Sequence, residues 1–163
     1  MNSSATLTRP LASALVASPR SSHHDAIIDA RSFLHRAARP SYEAAAASRW
    51  LRGFRQDVLA ARRAVVVHIL HAEREDSALN RIEQDEPRLQ SAVRRQLAEH
   101  DDILRQVHAL VDTAIAAEDA DIWRVVDLSE RARTVAKTLD RHWRRYLDLI
   151  HERENRELGG EGG

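Results

Sequence analysis

The sequence predicts an all-α chain folded as an antiparallel up-down four-helix bundle, and three observations lead there. Apolar residues recur at intervals of three and four through most of the 163 residues, and no stretch of any length alternates as a strand would. The five Gly and four Pro fall at the ends of the chain or between the periodic stretches, Gly53 excepted. The links between those stretches are short, which favours antiparallel neighbours. With 43% hydrophobic residues, a chain of this length can bury one core of its own.

Taken in order, residues 1–21 read as a flexible tail, without an acidic residue and broken by Pro10 and Pro19. Their apolar centre, Leu11 to Ala17, is shorter than a secretory signal requires. Ser22 with Asp25 resembles a capping box, and Ala26, Ile27, Ile28, Ala30, Phe33 and Leu34 give the first helix an apolar face up to Arg39-Pro40. The pattern then stays helical from Ser41 to Gln84. A single rod of that length would span about 66 Å at ~1.5 Å per residue, far more than its neighbours need. Gly53 is therefore the predicted break, dividing a connecting helix, Tyr42 to Arg52, from a second main helix, Phe54 to Gln84. Pro87 opens the third, whose stripe Leu89, Val93, Leu97, His100, Leu104, Val107 and Val111 runs to about Ala117. After Glu118-Asp119 the fourth carries Ile122, Val125, Val126, Leu128, Val135, Leu139, His142, Tyr146 and Ile150. The bundle thus occupies residues 22–158, and the glycine-rich 159–163 form a flexible end.

Charge and composition remove several function classes. Lys plus Arg equals Asp plus Glu at 25 each, so nothing electrostatic argues for nucleic acid. No apolar run approaches the roughly 18–20 residues of a membrane span, and the longest is interrupted by His68. The lack of Cys rules out disulfides, thiolate metal sites and thiol catalysis, and fits a cytoplasmic location. Neither HExxH, nor a nucleophile elbow, nor a phosphate-binding Gly loop occurs, so the motifs do not point to an enzyme.

What remains is a set of histidines within the apolar stripes. Positions 68, 71, 75 and 79 share one narrow arc at about 100° per residue, and His71 with Glu75, one turn apart, can reach a single cation. Imidazole and carboxylate both suit iron, zinc or manganese. His71 stands about 13 residues before the end of its helix and His100 about 13 after the start of the next, so antiparallel packing levels them. His142 falls within about one turn of the same level. His24 reaches it from the first helix if the chain breaks at Gly53, whereas His35 fits less well. His68 is either an outer partner of this set or an extra ligand, and His23, His108 and His151 are bystanders. Burying several imidazoles and a carboxylate costs free energy unless each finds a partner, and a cation satisfies them together. Tyr146, one turn after His142, points into this layer as a phenolate ligand or an apolar plug, with the plug favoured.

The runs His71-Ala-Glu-Arg-Glu75, Glu99-His100-Asp101-Asp102 and Asp140-Arg141-His142, in that order on successive helices, resemble the hemerythrin-like (HHE cation-binding) domains over roughly residues 22–155. The resemblance implies a non-haem iron centre of one or two ions, held by His24, His71, Glu75, His100 and His142 and serving to bind O2, NO or peroxide, or to sense iron or redox state. It names no protein partner. Two positions depart from the family: Tyr146 stands where a second acid is expected, and Gln96 where a further histidine can occur. Those departures suit the alternative, a metal-free interaction or regulatory bundle derived from the same fold. An oxidase of the ferritin-like diiron class is excluded, because no His here has Glu three residues before it.

Overall fold

The structure, a computed structural model, describes residues 21–40, 46–118 and 121–159. Among these the chain is all-helical. The elements are α1 (Ser21–Ala37), α2 (Ala47–Ala72), α3 (Ala78–Asp85), α4 (Gln90–Ala116), entered through a 3-10 turn at Pro87–Leu89, and α5 (Ile122–Gly159). The tails expected at the two ends lie outside the described residues, apart from Ser21 and Gly159, which belong to α1 and α5. Ile27, Ala30, Leu34 and Ala37 bury one side of α1, which stops ahead of Pro40 as the sequence predicts.

The long second segment corrects the sequence reading. Its predicted break at Gly53 does not exist: α2 runs through that residue, carried by the buried stripe Leu51, Phe54, Val58, Ala61, Val65, His68 and Ala72. Residues 47–52 belong to this helix, Ala46 is its N-cap, and 42–45 lie outside the described residues. The interruption comes instead at 73–77. No Gly or Pro marks it, but the polar run Glu73-Arg74-Glu75-Asp76 offers the core no apolar side chain, and Ser77 starts a new helix by accepting from the Asn80 backbone N at 3.1 Å. α3 then buries Leu79 and Ile82. A helical glycine costs stability through backbone freedom in the unfolded chain, and a Cβ at Gly53 would meet nothing within 4 Å. Gly53→Ala is therefore expected to stabilise the protein by about 0.5–1 kcal/mol, read as a higher urea midpoint. A lower midpoint would contradict this account of α2.

Polar pairs set the register of the long helices. Arg36 bonds Asp57 at 2.8 Å and Trp50 Nε1 donates to the Arg39 carbonyl at 2.8 Å, tying α1 to α2. Arg31 meets Asp140 at 2.6 Å and Arg133 donates to the Ala38 carbonyl at 3.3 Å, tying α1 to α5. Arg55 Nε donates to the Ala114 carbonyl at 2.9 Å between α2 and α4. Arg145 meets Glu99 at 2.7 Å between α5 and α4. From Arg36–Asp57 to Arg39–Trp50, and from Arg31–Asp140 to Ala38–Arg133, one residue number rises as the other falls, so α1 runs opposite to both α2 and α5. The core lies between them, closed by Val93, Ile103, Val107, Leu128, Ala132 and Leu139. No helix among the described residues is long and apolar enough to cross a membrane.

Candidate metal centre

Three stripe positions that would ordinarily hold aliphatic residues carry imidazoles. His68 on α2, His100 on α4 and His142 on α5 are each only 1–2% exposed. Each repeats the spacing of three or four that governs its helix, as in Val65-His68-Ala72, Gln96-His100-Ile103 and Leu139-His142-Tyr146. One ring nitrogen from each lies within 4.8 Å of the others, and the ring centroids are 5.1–5.4 Å apart. His68 Nε2 and His142 Nε2 are 3.1 Å apart.

The remaining nitrogens explain what holds the rings. His100 Nδ1 donates to Glu73 Oε1 at 2.9 Å, and His142 Nδ1 donates to Glu99 Oε2 at 3.0 Å. An ionised carboxylate can only accept, so each Nδ1 carries the hydrogen and, in the neutral ring, each Nε2 keeps a bare lone pair. The 3.1 Å contact then requires His68 Nε2 to donate to His142. His100 Nε2 is buried and has no hydrogen-bond partner among the described residues. Gln96 completes the layer: its side-chain N donates to the His142 carbonyl at 2.9 Å and lies 3.2 and 3.3 Å from the two ring nitrogens. Such near-equidistance is possible only over the face of the ring, since an in-plane amide would collide with Cε1.

Burial drives the His142 imidazole down to about 4, against the opposing pull of the Glu99 hydrogen bond. Burial works the other way on Glu99, but hydrogen bonds from His142 and Arg145 prevail and hold its carboxyl below the usual range. Imidazole and carboxylate thus meet as a neutral donor and an anion. Because the folded-state value of His142 lies below its ordinary 6.5, the unfolded chain binds the extra proton between those two pH values. Stability should therefore be fully present above about pH 6.5 and fall by about 3 kcal/mol as the pH drops towards 4. Urea melts of the metal-free protein at pH 7 and pH 4.5 test this, and His142→Gln should shrink the difference.

Of the residues the sequence nominates, the structure brings together His100 and His142, and it adds His68. His71 is half-buried in the last turn of α2, about 60° round the helix from the His68 direction. It is not part of the cluster. Glu75 is exposed in the turn that follows, so the HxxxE spacing does not lie on one helix and cannot act as a one-turn pair. His24 is exposed in the first turn of α1, its ring edge-on to Trp143 at 4.5 Å. Trp143 follows His142 directly and points about 100° away from it, which leaves His24 outside the cluster. Tyr146 is buried and stacked on Trp143 at 5.3 Å. Burial raises its phenol above the ordinary value, against a smaller pull from Arg81, so it stands as a neutral packing group.

The phase of α2 could have identified His68, because alternating steps of three and four from Leu51 reach 54, 58, 61, 65, 68 and 72 and pass over 71. Glu99 was marked by its place beside His100. Nothing in the sequence marks Glu73, whose role depends on α2 ending one residue before it.

Three imidazoles with neighbouring ring nitrogens, two of them bonded to carboxylates, are of a donor type that suits a transition-metal ion. At metal–nitrogen distances of about 2.0–2.1 Å, tetrahedral donors on one ion stand roughly 3.4 Å apart, so nitrogens that lie within 4.8 Å of one another close on an ion by inward shifts of under about an ångström each. Comparison of the chain with known protein families, curated proteins and solved structures finds no match.

Proposed function

We propose that the chain is a metal-binding module in which His68, His100 and His142 hold one divalent transition-metal ion in the core of an up-down four-helix bundle made by α1, α2, α4 and α5. The observation that carries this reading is the buried His100 Nε2, without a hydrogen-bond partner among the described residues, in a cluster whose other imidazoles converge with it. Leaving such a nitrogen unsatisfied costs about 1–3 kcal/mol, and an ion removes that cost for every donor at once. Charge supports it too, since the carboxylates of Glu73 and Glu99 behind two of the rings offset a divalent cation.

Three protein ligands leave a coordination position open. That favours a module that takes a small ligand such as O2, NO or peroxide, or that senses iron or redox state, as the resemblance to hemerythrin-like domains implies. Non-haem iron is the first candidate, while imidazole donors also suit zinc, copper and nickel. The residues present do not fit a two-ion centre, because Glu75 is exposed and a neutral tyrosine occupies the place of the second acid. The metal-free interaction bundle is favoured by one observation: the His68–His142 hydrogen bond gives two ring nitrogens partners without an ion.

Metal analysis of the purified protein, with calorimetric titration of Fe2+ under argon and of Zn2+, separates the two readings. One ion per chain and a melting temperature that falls with chelator are expected. A protein that binds neither ion, and melts unchanged with chelator, is the metal-free bundle.

A further inference from the structure

We propose that Glu73 couples occupancy of the histidine centre to the conformation of the α2–α3 turn, making that surface turn the part of the molecule that reports the metal. The inference rests on the metal-centre reading above. The two carboxylates behind the site are not equivalent. Glu99 lies within α4 and is gripped from a second side by Arg145 at 2.7 Å, so its place is set whether or not an ion is bound. Glu73 is the first residue beyond α2, and its side chain is 52% exposed although one oxygen reaches the buried His100 ring.

The turn itself is held lightly. Residues 73–76 are all exposed. Arg74 and Asp76 pair with each other at 2.9 Å on the surface, a contact worth little. Downstream, Asn80 Nδ2 donates to the Arg74 carbonyl at 2.6 Å and the Ser77 N–H bonds back to the same carbonyl at 3.0 Å. Of the side-chain bonds the structure gives the turn, only the one from Glu73 to His100 leads into the core.

A cation on His100 Nε2 draws electron density from the ring and makes Nδ1–H a stronger donor. The bond to the Glu73 carboxylate tightens in consequence. An ion held by three helices thereby pulls on a segment that lies on none of them. The state of the site is carried to an exposed loop and to the start of α3, without any ligand contacting either.

Hydrogen exchange of residues 73–77, followed by mass spectrometry in chelator and with Zn2+, tests this. Loading should slow exchange there by about tenfold, the factor one charge-assisted hydrogen bond corresponds to. Glu73→Ala should remove that metal-dependent difference and weaken Zn2+ binding by about tenfold. Glu73→Gln, which can still accept from Nδ1, should restore part of the difference. If Zn2+ binds and exchange at 73–77 does not change, or if Glu73→Ala keeps the full change, the coupling is overturned and the metal centre stands. A parent protein that does not bind Zn2+ overturns the centre and the coupling with it.

Discussion

His68→Ala is expected to abolish metal binding, while His71→Ala leaves it intact. The two histidines lie one helical turn apart, and the sequence alone favours His71 because Glu75 follows it at a ligand spacing. The structure reverses the order, with His68 buried on the stripe of α2 and bonded to His142 at 3.1 Å, and His71 half-buried outside the cluster. A three-donor site that loses one donor keeps too few to compete with water for the ion. The effect should be large in melting curves as well. An ion present at a thousand times its dissociation constant stabilises the folded state by about 4 kcal/mol, or about 8–16 °C for a domain of this size. His68→Ala should erase that gain, at a smaller cost to the metal-free protein of about 1–3 kcal/mol for the hydrogen bond and packing it removes. If His71→Ala loses the ion and His68→Ala keeps it, His68 is not the ligand that α2 supplies.

The contrast between the two residues shows which features of this molecule could be read in advance. Helical content, the stop before Pro40, the start at Pro87 and most of the stripes of α4 and α5 follow from spacing and breakers, because apolar periodicity over several turns acts directly on the packed face; Ile122 is exposed, and Gln96 and Ile103 are buried where Leu97 and Leu104 are half-buried. His100 and His142 were legible for the same reason. The end of α2 was not, since a run of four polar residues without Gly or Pro is equally compatible with a solvated helical face. Ser77 was the available signal, a strong N-cap placed before Ala78 and Leu79. Once α2 is known to end at Ala72, Glu75 leaves the site and Glu73 enters it. Gly53 misled in the opposite direction: a glycine costs a helix about 1 kcal/mol, less than burial of Leu51, Phe54 and Val58 contributes on either side. His24 was placed by a level argument that depended on that false break; the Arg36–Asp57 pair and the Trp143 contact still set it near the height of the cluster, and it misses the site because it stands off the buried Ile27, Ala30 and Leu34 face of α1.

Gln96→Glu should lower the stability of the metal-free protein and raise its affinity for the ion. The side chain is 2% exposed, and its nitrogen donates to the His142 carbonyl at 2.9 Å while lying 3.3 Å from His142 Nε2. Glutamate has nearly the same shape but offers only acceptors when ionised, so the hydrogen bond to that carbonyl becomes a repulsion between two oxygens. Without an ion the new carboxylate is a buried charge with no cation opposite it, and the cost should be about 3 kcal/mol, or about 6–12 °C in melting temperature. With an ion part of that cost is recovered. A carboxylate beside His142 can rotate towards the open coordination position, adding an oxygen donor and a negative charge where both are favourable. Affinity should then rise by about tenfold, widening the gap between loaded and chelated melting temperatures by about 3–5 °C at a fixed metal concentration. An equal drop with and without metal would mean that residue 96 only packs against His142, and that the fourth coordination position opens elsewhere.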